Sequence, residues 1–214
     1  MLTLYEELML LALDEKKGSV KSATTTALPY GLSAAVLLEL LHHRKIKCDM
    51  NKIVLIENKT TGDNILDDAL KIMASTDKIK SIKFWVEKLS GGIKKLKPGI
   101  LDKLVANGIL KKEEHKFIFI PYKRYPEHNP FPEQDLRYKI QQILIHDQKT
   151  DERLLSLISL VNACELLNEI VPKKDRKMAR KQIKELVNHE PFGKAVSEIV
   201  SELNAALVVT TTTT

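Results

Sequence analysis

The chain has 214 residues, of which 43% are hydrophobic, enough for one substantial core without a second domain. Aromatic residues make up 5%, and glycine and proline number 8 each, a composition that favours helices over a sandwich or barrel.

Two cysteines are too few for a disulfide framework, which favours a reducing cytoplasm. No cleavable-signal pattern opens the chain, and no apolar run reaches the roughly 18 residues that span a bilayer, so membrane contact would be peripheral. The net charge of +6 favours anionic partners, whether nucleic acid, lipid headgroups or acidic proteins. We expect one domain over residues 1–209 and a polar tail over 210–214.

The first half of the chain predicts helices around one hairpin. Thr3 and Glu6 form a capping-box pattern that opens a helix over residues 4–15. Asp63 is a predicted cap of a later amphipathic helix, and Trp85 is a predicted core residue of the next. The other predicted elements of this half are a loop over Ser19–Pro29, a buried helix over Leu32–Leu41, and a hairpin of Ile46–Asp49 with Ile53–Glu57.

The second half predicts one more hairpin and then only helices. A helix from Pro98 ends at Asn107-Gly108, and a charged turn over Lys111–Glu114 precedes an alternating strand that includes Phe117 and Phe119. Four helical patterns follow the proline-rich segment, over residues 133–146, 151–170, 173–187 and 191–208. The sequence therefore predicts a mainly α protein.

No pattern of catalytic or metal-ligating residues stands out. The six histidines are scattered, and Cys164 and Cys48 have the setting of buried structural thiols. Asp63, Asp67 and Asp68 are explained as a helix cap and a solvated face. We therefore expect no enzyme activity, no cofactor and no metal site.

A dense basic stripe is the strongest functional feature of the sequence. Spacings of three and four residues place its cations on neighbouring turns of one helix. Such a stripe would bind anionic lipid, although a solvated face balanced by nearby acids is an equally simple interpretation. The stripe consists of Lys173, Lys174, Arg176, Lys177, Arg180, Lys181 and Lys184.

A second basic group surrounds the predicted helix and second hairpin, and it provides the alternative hypothesis. A winged-helix nucleic-acid-binding protein presents a helix to the major groove and a hairpin to phosphates. The group consists of Lys94, Lys95, Lys97, Lys103, Lys111 and Lys112.

Six segments of the sequence resemble successive conserved blocks of the Golgi phosphoprotein 3 family and occur in the same order as in that family. The block that begins Thr61-Gly62-Asp63 is the most specific, because it joins a helix cap to paired acids and apolar residues. The resemblance implies a central helix bundle ringed by amphipathic helices, with two short β-hairpins and no catalytic activity. The blocks are Leu2–Leu13, Gly31–Leu32 with Leu37–Leu40, Thr61–Leu70, Trp85–Leu89, Leu104–Leu110 and Asp151–Ile158. Because the chain starts directly at the first block, it resembles a prokaryotic member.

The resemblance also implies where a lipid headgroup would bind. Eukaryotic members bind phosphatidylinositol 4-phosphate and the cytoplasmic tails of glycosyltransferases. The family's pocket tryptophan and arginine fall at Thr24 and Ser33, which can replace neither an indole nor a guanidinium. Basic residues of the helix after the proline-rich segment would fall at Asp135 and about Tyr138, with Arg137 and Lys139 nearby. The family's signature pocket is therefore predicted to be absent.

These observations predict a non-catalytic adaptor on the cytoplasmic face of a membrane. It would bind anionic phospholipid or phosphoinositide headgroups and recruit a protein partner, with nucleic-acid binding as the alternative. The hairpin over Phe117–Tyr122 is a candidate contact for self-association. The candidate anion-binding residues are Lys173, Lys174, Lys177, Arg180, Lys181, Arg137 and Arg124.

Overall fold

The structure, a computed structural model, describes residues 1–76, 79–93, 96–188, 202–203 and 205. Within these ranges the chain forms nine α-helices and five short strands. The helices are α1 (Leu4–Ala12), α2 (Leu28–His42), α3 (Asn64–Ala74), α4 (Ile82–Gly92), α5 (Leu96–Ala106), α6 (Phe131–His146), α7 (Glu152–Ala163), α8 (Leu167–Ile170) and α9 (Arg176–Asn188). The strands are β1 (Ile46–Asp49), β2 (Lys52–Leu55), β3 (Lys80–Ser81), β4 (Glu113–Phe117) and β5 (Ile120–Arg124).

The helices α1 and α2 form the centre of the bundle. Every residue of α1 is buried, and α2 is buried from Gly31 to Leu40. The two helices pack against each other, α2 also packs on α4, and α1 also contacts α5, α6 and α7. The outer helices are amphipathic: α3 buries Ile65, Leu66 and Leu70 and exposes Asp68. The mainly α fold, a central bundle ringed by amphipathic helices, is confirmed.

Local capping chemistry fixes several helix starts, as the sequence predicts. The backbone N–H of Thr3 donates to the Glu6 carboxylate at 2.8 Å and completes the capping box of α1. The Asp63 carboxylate accepts from the backbone N–H groups of Ile65 and Leu66 at the start of α3. Trp85 is a core residue, 3% exposed.

The strands form two small antiparallel sheets, in the order β1-β2-β3 and β4-β5. In the first hairpin Ile46 pairs with Leu55 and Asp49 with Lys52, so Met50 and Asn51 form the turn, both with positive φ. In the second hairpin Glu113 pairs with Arg124 and Phe117 with Ile120. Both predicted hairpins are therefore present.

Several predicted boundaries are wrong. The first helix ends at Ala12 rather than residue 15, and the second begins at Leu28, inside the predicted loop. The predicted turn Lys111–Glu114 instead leads into β4, and the hairpin turns at Ile118 and Phe119. The predicted helix over 151–170 is split into α7 and α8 at Glu165, whose φ is 61°.

Most of the predicted helix over 191–208, and the whole tail 210–214, lie outside the described residues. In the part of the chain that is described, no helix combines the length and the apolar character needed to cross a membrane.

Candidate functional site

The helix α9 carries most of the basic stripe and is attached to the bundle by its apolar side. Ala179 and Ile183 are buried, and α9 packs on α6 and α7. The cations on the opposite side are therefore directed away from the core. They line an open groove of about 460 Å³, which is formed by Lys173, Arg176, Lys177, Arg180, Lys181 and Lys184. We call this surface the basic face.

The cations of the basic face differ in how they are paired. Lys181 is 3.4 Å from the Glu185 carboxylate, an exposed pair of small energetic value. Lys173, Lys174, Lys177 and Lys184 form no ion pair with any other residue in the described ranges. Their charge is therefore not neutralised within the described part of the protein, as binding to an anionic surface requires.

Arg176 and Arg180 are bound to the neighbouring short helix α8. Arg176 donates from Nε to the Val171 carbonyl at 3.1 Å and from Nη2 to the Asn168 carbonyl at 2.6 Å. Arg180 Nη2 donates to the Asn168 side-chain oxygen at 3.2 Å. Neither guanidinium has a carboxylate partner among the described residues, so both retain an uncompensated charge.

Arg137 is not part of the basic face. Its guanidinium donates to Glu133, which is 2% exposed, at 2.6 Å, lies 3.5 Å from Glu15, and also donates to the Glu169 carbonyl. These contacts connect α6 to the loop after α1 and to α8. Two carboxylates lie beside Arg137, so its charge is paired within the fold, unlike that of most cations of the basic face.

The other predicted candidates on or near α6 are also separate from the basic face. Arg124 ends β5, where its guanidinium lies 5.4 Å from the ring centre of Tyr122. On α6, Lys139 pairs with Asp135 at 2.6 Å, and Tyr138 is exposed. Neither Arg124 nor Arg137 lines the groove of the basic face, although Arg137 reaches the carbonyl of Glu169, next to the Asn168 that binds Arg176 and Arg180.

A carboxylate cluster surrounds Arg137. Glu133 also lies 3.8 Å from the Lys21 ammonium, whose pKa is lowered because burial disfavours its charge. Burial, followed by a hydrogen bond with Glu133, raises the pKa of Glu127 to about 8. One Glu127 oxygen is buried without a hydrogen-bond partner. The cluster is thus crowded with carboxylates and is poorly suited to binding a phosphate.

Thr24 and Ser33, the positions that the resemblance matches to the family's headgroup pocket, are small buried side chains. Thr24 is fully buried, and its hydroxyl has no hydrogen-bond partner. Ser33 is buried in α2 and donates to the Pro29 carbonyl at 3.0 Å. Both side chains are therefore enclosed by the fold, and the predicted loss of the signature pocket stays a prediction.

A cavity of about 240 Å³ nevertheless lies beside these positions. Its walls are mostly apolar, and its one cation is Lys97, whose pKa is lowered because the surrounding protein desolvates the ammonium. The lining residues are Val20, Thr25, Leu28, Pro29, Leu32, Ser90, Ile93, Leu96, Lys97 and Pro98, and none belongs to α6. This cavity was not predicted from the sequence, where Lys97 was grouped with the cations of a possible winged helix; the structure places Lys97 in the first turn of α5.

Two lysines of the second basic group form ion pairs within the fold. Lys103 is bound to Asp63 and lies 3.2 Å from the Tyr5 hydroxyl and 3.7 Å from Glu6. Lys112 donates to Asp102 at 3.0 Å, while Lys94 and Lys95 lie outside the described residues. The pattern that suggested a winged helix is thus partly explained by ion pairs that join α1, α3 and α5.

Groups with chemical reactivity are not assembled in the described residues. No cluster of three or more His, Cys, Asp or Glu side chains there has metal-binding geometry. Cys164 is fully buried, and burial raises the pKa of its thiol to about 12, which keeps it protonated. Cys48 is only half-buried on β1.

The tip of the second hairpin is an exposed apolar surface. Phe117 is 67% exposed, Ile118 75%, Phe119 90% and Ile120 69%. Four consecutive exposed apolar residues at a sheet edge are typical of a contact surface. We call this surface the hairpin tip.

Comparison with known proteins gives the chain a family. It is 28% identical over 146 residues to the Vacuolar protein sorting-associated protein 74 of Schizosaccharomyces pombe, a match that covers 58% of this chain. The match covers 43% of that relative, so the chain corresponds to less than half of the relative's length. The sequence model of the Golgi phosphoprotein 3 family matches residues 4–203, nearly the whole chain. The chain therefore belongs to the Golgi phosphoprotein 3 family.

Proposed function

We propose that this protein is a non-catalytic peripheral membrane protein that binds anionic phospholipid headgroups through the basic face of α9. The basic face supports the proposal because six cations line one groove and only Lys181 among them has a carboxylate partner in the described residues. An ordinary solvated face would carry interspersed acids, as the exposed side of α3 does with Asp68 and Lys71.

The expected affinity comes from many weak contacts. Each cation near an anionic membrane surface contributes up to about 1 kcal/mol, and salt screens the attraction over roughly 8 to 10 Å. Because the apolar side of α9 is buried in the bundle, the helix would lie on the headgroups without inserting into the acyl chains. Binding should therefore follow the membrane's surface charge and weaken as salt rises.

The cavity beside Lys97 is a candidate second contact with a headgroup. It lies next to Thr24 and Ser33, the positions that correspond to the family's pocket, and it supplies an ammonium without a carboxylate partner in the described residues. It lacks a guanidinium and an interfacial tryptophan among its lining residues. We therefore expect little preference for phosphatidylinositol 4-phosphate over other anionic lipids.

The family and the matched relative support an adaptor role. The relative is described as a vacuolar protein sorting-associated protein, and family membership links the chain to Golgi phosphoprotein 3. We infer that the protein attaches to the cytoplasmic face of a membrane and recruits a protein partner there.

Co-sedimentation with liposomes tests the membrane proposal. The liposomes would contain neutral lipid alone, added phosphatidylserine, or added phosphatidylinositol 4-phosphate. The test variant carries alanine at Lys173, Lys177, Arg180 and Lys184. A matched control loses the same number of charges and carries alanine at Lys71, Lys83, Lys112 and Lys139, whose cations are already paired. We expect anionic liposomes to bind the wild type and the control but not the quadruple variant.

Failure to bind any anionic liposome would refute the membrane proposal. A duplex DNA arm at the same salt tests the alternative, because both interactions weaken with ionic strength but only one should occur. Retention on DNA with no retention on liposomes would favour the nucleic-acid-binding alternative.

We also infer that the hairpin tip is a contact between copies of the chain. The tip presents Phe117, Ile118, Phe119 and Ile120 to solvent. Sedimentation equilibrium should show an oligomer that Phe119→Ser weakens. The matched control is Met50→Ser at the turn of the first hairpin, where the side chain is 80% exposed. A monomeric wild type, or equal effects of the two variants, would contradict the inference.

A further inference from the structure

The cavity beside Lys97 combines apolar walls with a single cation. It lies between α2, the end of α4 and the first turn of α5. Leu28 and Leu32 of α2 are buried, and so are Ile93, which follows α4, and Leu96, the first residue of α5. A ligand that enters this cavity would therefore contact hydrocarbon over most of its surface.

The two hydroxyl groups of the lining use their donors within the protein. The Ser90 hydroxyl donates to the Glu87 carbonyl at 2.7 Å, and the Thr25 hydroxyl donates to the Lys21 carbonyl at 3.4 Å. Burying a polar group of a ligand without a hydrogen-bond partner costs free energy. A sugar, an inositol or another polyol is therefore poorly matched to these walls, whereas an aliphatic chain fits them.

Lys97 gives the cavity a preference for one negative charge. Its ammonium has no carboxylate partner in the described ranges, and its pKa is lowered because the surrounding protein desolvates the charged form. Lys97 is the second residue of α5, an 11-residue helix whose dipole places partial positive charge at this end. The ammonium and the helix end therefore both favour an anionic group here, and one ammonium neutralises one charge.

We propose that this cavity binds a small amphiphilic carboxylate, with its aliphatic chain against Leu28, Leu32 and Ile93 and its carboxylate at the Lys97 ammonium. The volume of about 240 Å³ limits the length of the chain. A water molecule occupies about 30 Å³ of liquid, so the cavity holds roughly eight groups of that size, which corresponds to a chain of about eight carbons. The inference goes beyond the proposed function and is independent of the basic face.

A series of straight-chain carboxylates tests the apolar walls and the charge separately. Calorimetry with hexanoate, octanoate and decanoate should show saturable binding that strengthens by about fourfold for each added methylene, because each one leaves water. The gain should stop beyond about eight carbons, where the cavity is full. Octanol should bind more weakly than octanoate, and octylamine, with the same chain and the opposite charge, should not bind.

Three variants assign the binding to this cavity. Lys97→Met keeps the length of the side chain and should weaken octanoate binding by about 10-fold without weakening octanol binding. The matched control Lys88→Met removes the same charge from an exposed position of α4 outside the lining, and it should bind octanoate like the wild type. Ser90→Leu fills part of the cavity and should weaken the binding of both ligands. Thermal unfolding of each variant checks that the fold persists.

The outcome separates this inference from the membrane proposal. Absence of octanoate binding by the wild type, equal affinities of Lys97→Met and Lys88→Met for octanoate, or equally strong binding of octylamine would overturn the carboxylate site. Phosphatidylserine vesicles serve as the second readout, and Lys97→Met should bind them within about twofold of the wild type because the basic face is unchanged. Vesicle binding without octanoate binding would overturn this inference alone, and octanoate binding without vesicle binding would overturn the membrane proposal alone.

Discussion

The buried carboxylate of Glu7 should make the protein less stable as pH rises. Glu7 is 6% exposed on α1 and accepts from Arg153 Nη1 at 2.7 Å. Arg153 also donates to Glu39 at 3.2 Å, so one cation serves two buried carboxylates. Burial raises the pKa of Glu7 to about 7, against an ordinary value of 4.5, although the Arg153 charge opposes the rise.

The sign follows from which state binds the proton. Between pH 4.5 and about 7 the unfolded chain has lost the Glu7 proton while the folded protein keeps it. The folded state therefore binds more protons, and the free energy of unfolding falls as pH rises. The stabilisation is fully present below pH 4.5 and is lost as pH rises through about 7. Because each unit of pKa shift corresponds to about 1.36 kcal/mol, the free energy of unfolding falls by at most ~3 kcal/mol over this range.

Urea denaturation of wild type and Glu7→Gln between pH 4.5 and 8, at constant ionic strength, measures this loss. The glutamine has nearly the same shape and no titrating proton, so its free energy of unfolding should fall less steeply with pH. Other groups, including Glu127, titrate in both proteins, so the difference between the two profiles isolates Glu7. Parallel profiles would refute the assignment, because they would mean that Glu7 titrates alike in the folded and unfolded chains.

Two further predictions concern packing and internal ion pairs. Gly31→Ala should lower the free energy of unfolding by about 1 to 3 kcal/mol, because a Cβ there would lie 2.2 Å from the Cys164 sulfur. Gly91→Ala, in open space on α4, should raise the free energy of unfolding by about 0.5 to 1 kcal/mol. Thermal unfolding of the two variants beside the wild type measures both changes. Lys103→Met should lower the free energy of unfolding by about 2 kcal/mol, because it leaves the partly buried Asp63 carboxylate without its ammonium partner. The control Lys71→Met removes an exposed pair and should change the free energy of unfolding by less than about 0.5 kcal/mol. Urea denaturation of both variants measures the difference.

The features that the sequence predicted best are determined by neighbouring residues. The Thr3 and Glu6 capping box and the Asp63 cap each need only side chains within three residues of the helix start. The first hairpin is fixed by two short alternating segments around Met50-Asn51. The family blocks then supplied the arrangement of these elements, which periodicity alone does not determine.

The wrong boundaries arise where local signals have two interpretations. The Ser- and Thr-rich segment Ser19–Pro29 suggested a loop, yet α2 begins within it at Leu28. Proline is tolerated in the first turn of a helix, where its missing N–H has no helical acceptor. The break at Glu165 needs a positive φ in a residue other than glycine or asparagine, and no sequence rule predicts it. The hairpin tip turns at Ile118, which also has a positive φ, so the charged segment before it was mistaken for the turn.

Site prediction was limited by contacts between residues far apart in sequence. Arg137 donates to the carbonyl of Glu169, 32 residues later, and lies near Glu15 at the start of the chain. Lys103 is likewise bound to Asp63, 40 residues earlier. Each looked like a free surface cation until the fold showed its partner.

Among the described residues, the absence of an internal partner therefore separates the cations of the proposed binding surface from those that stabilise the fold. Arg137, Lys103 and Arg153 contact buried or half-buried carboxylates, and their charge stabilises the bundle. The lysines of the basic face have no such contacts in the described ranges, and the arginines between them contact only neutral oxygens. Folding gains little from concentrating like charges on one helix, since their mutual repulsion opposes it. The proposed ligand site on α9 rests on this difference, because an external anion would neutralise charge that the described part of the fold leaves unpaired.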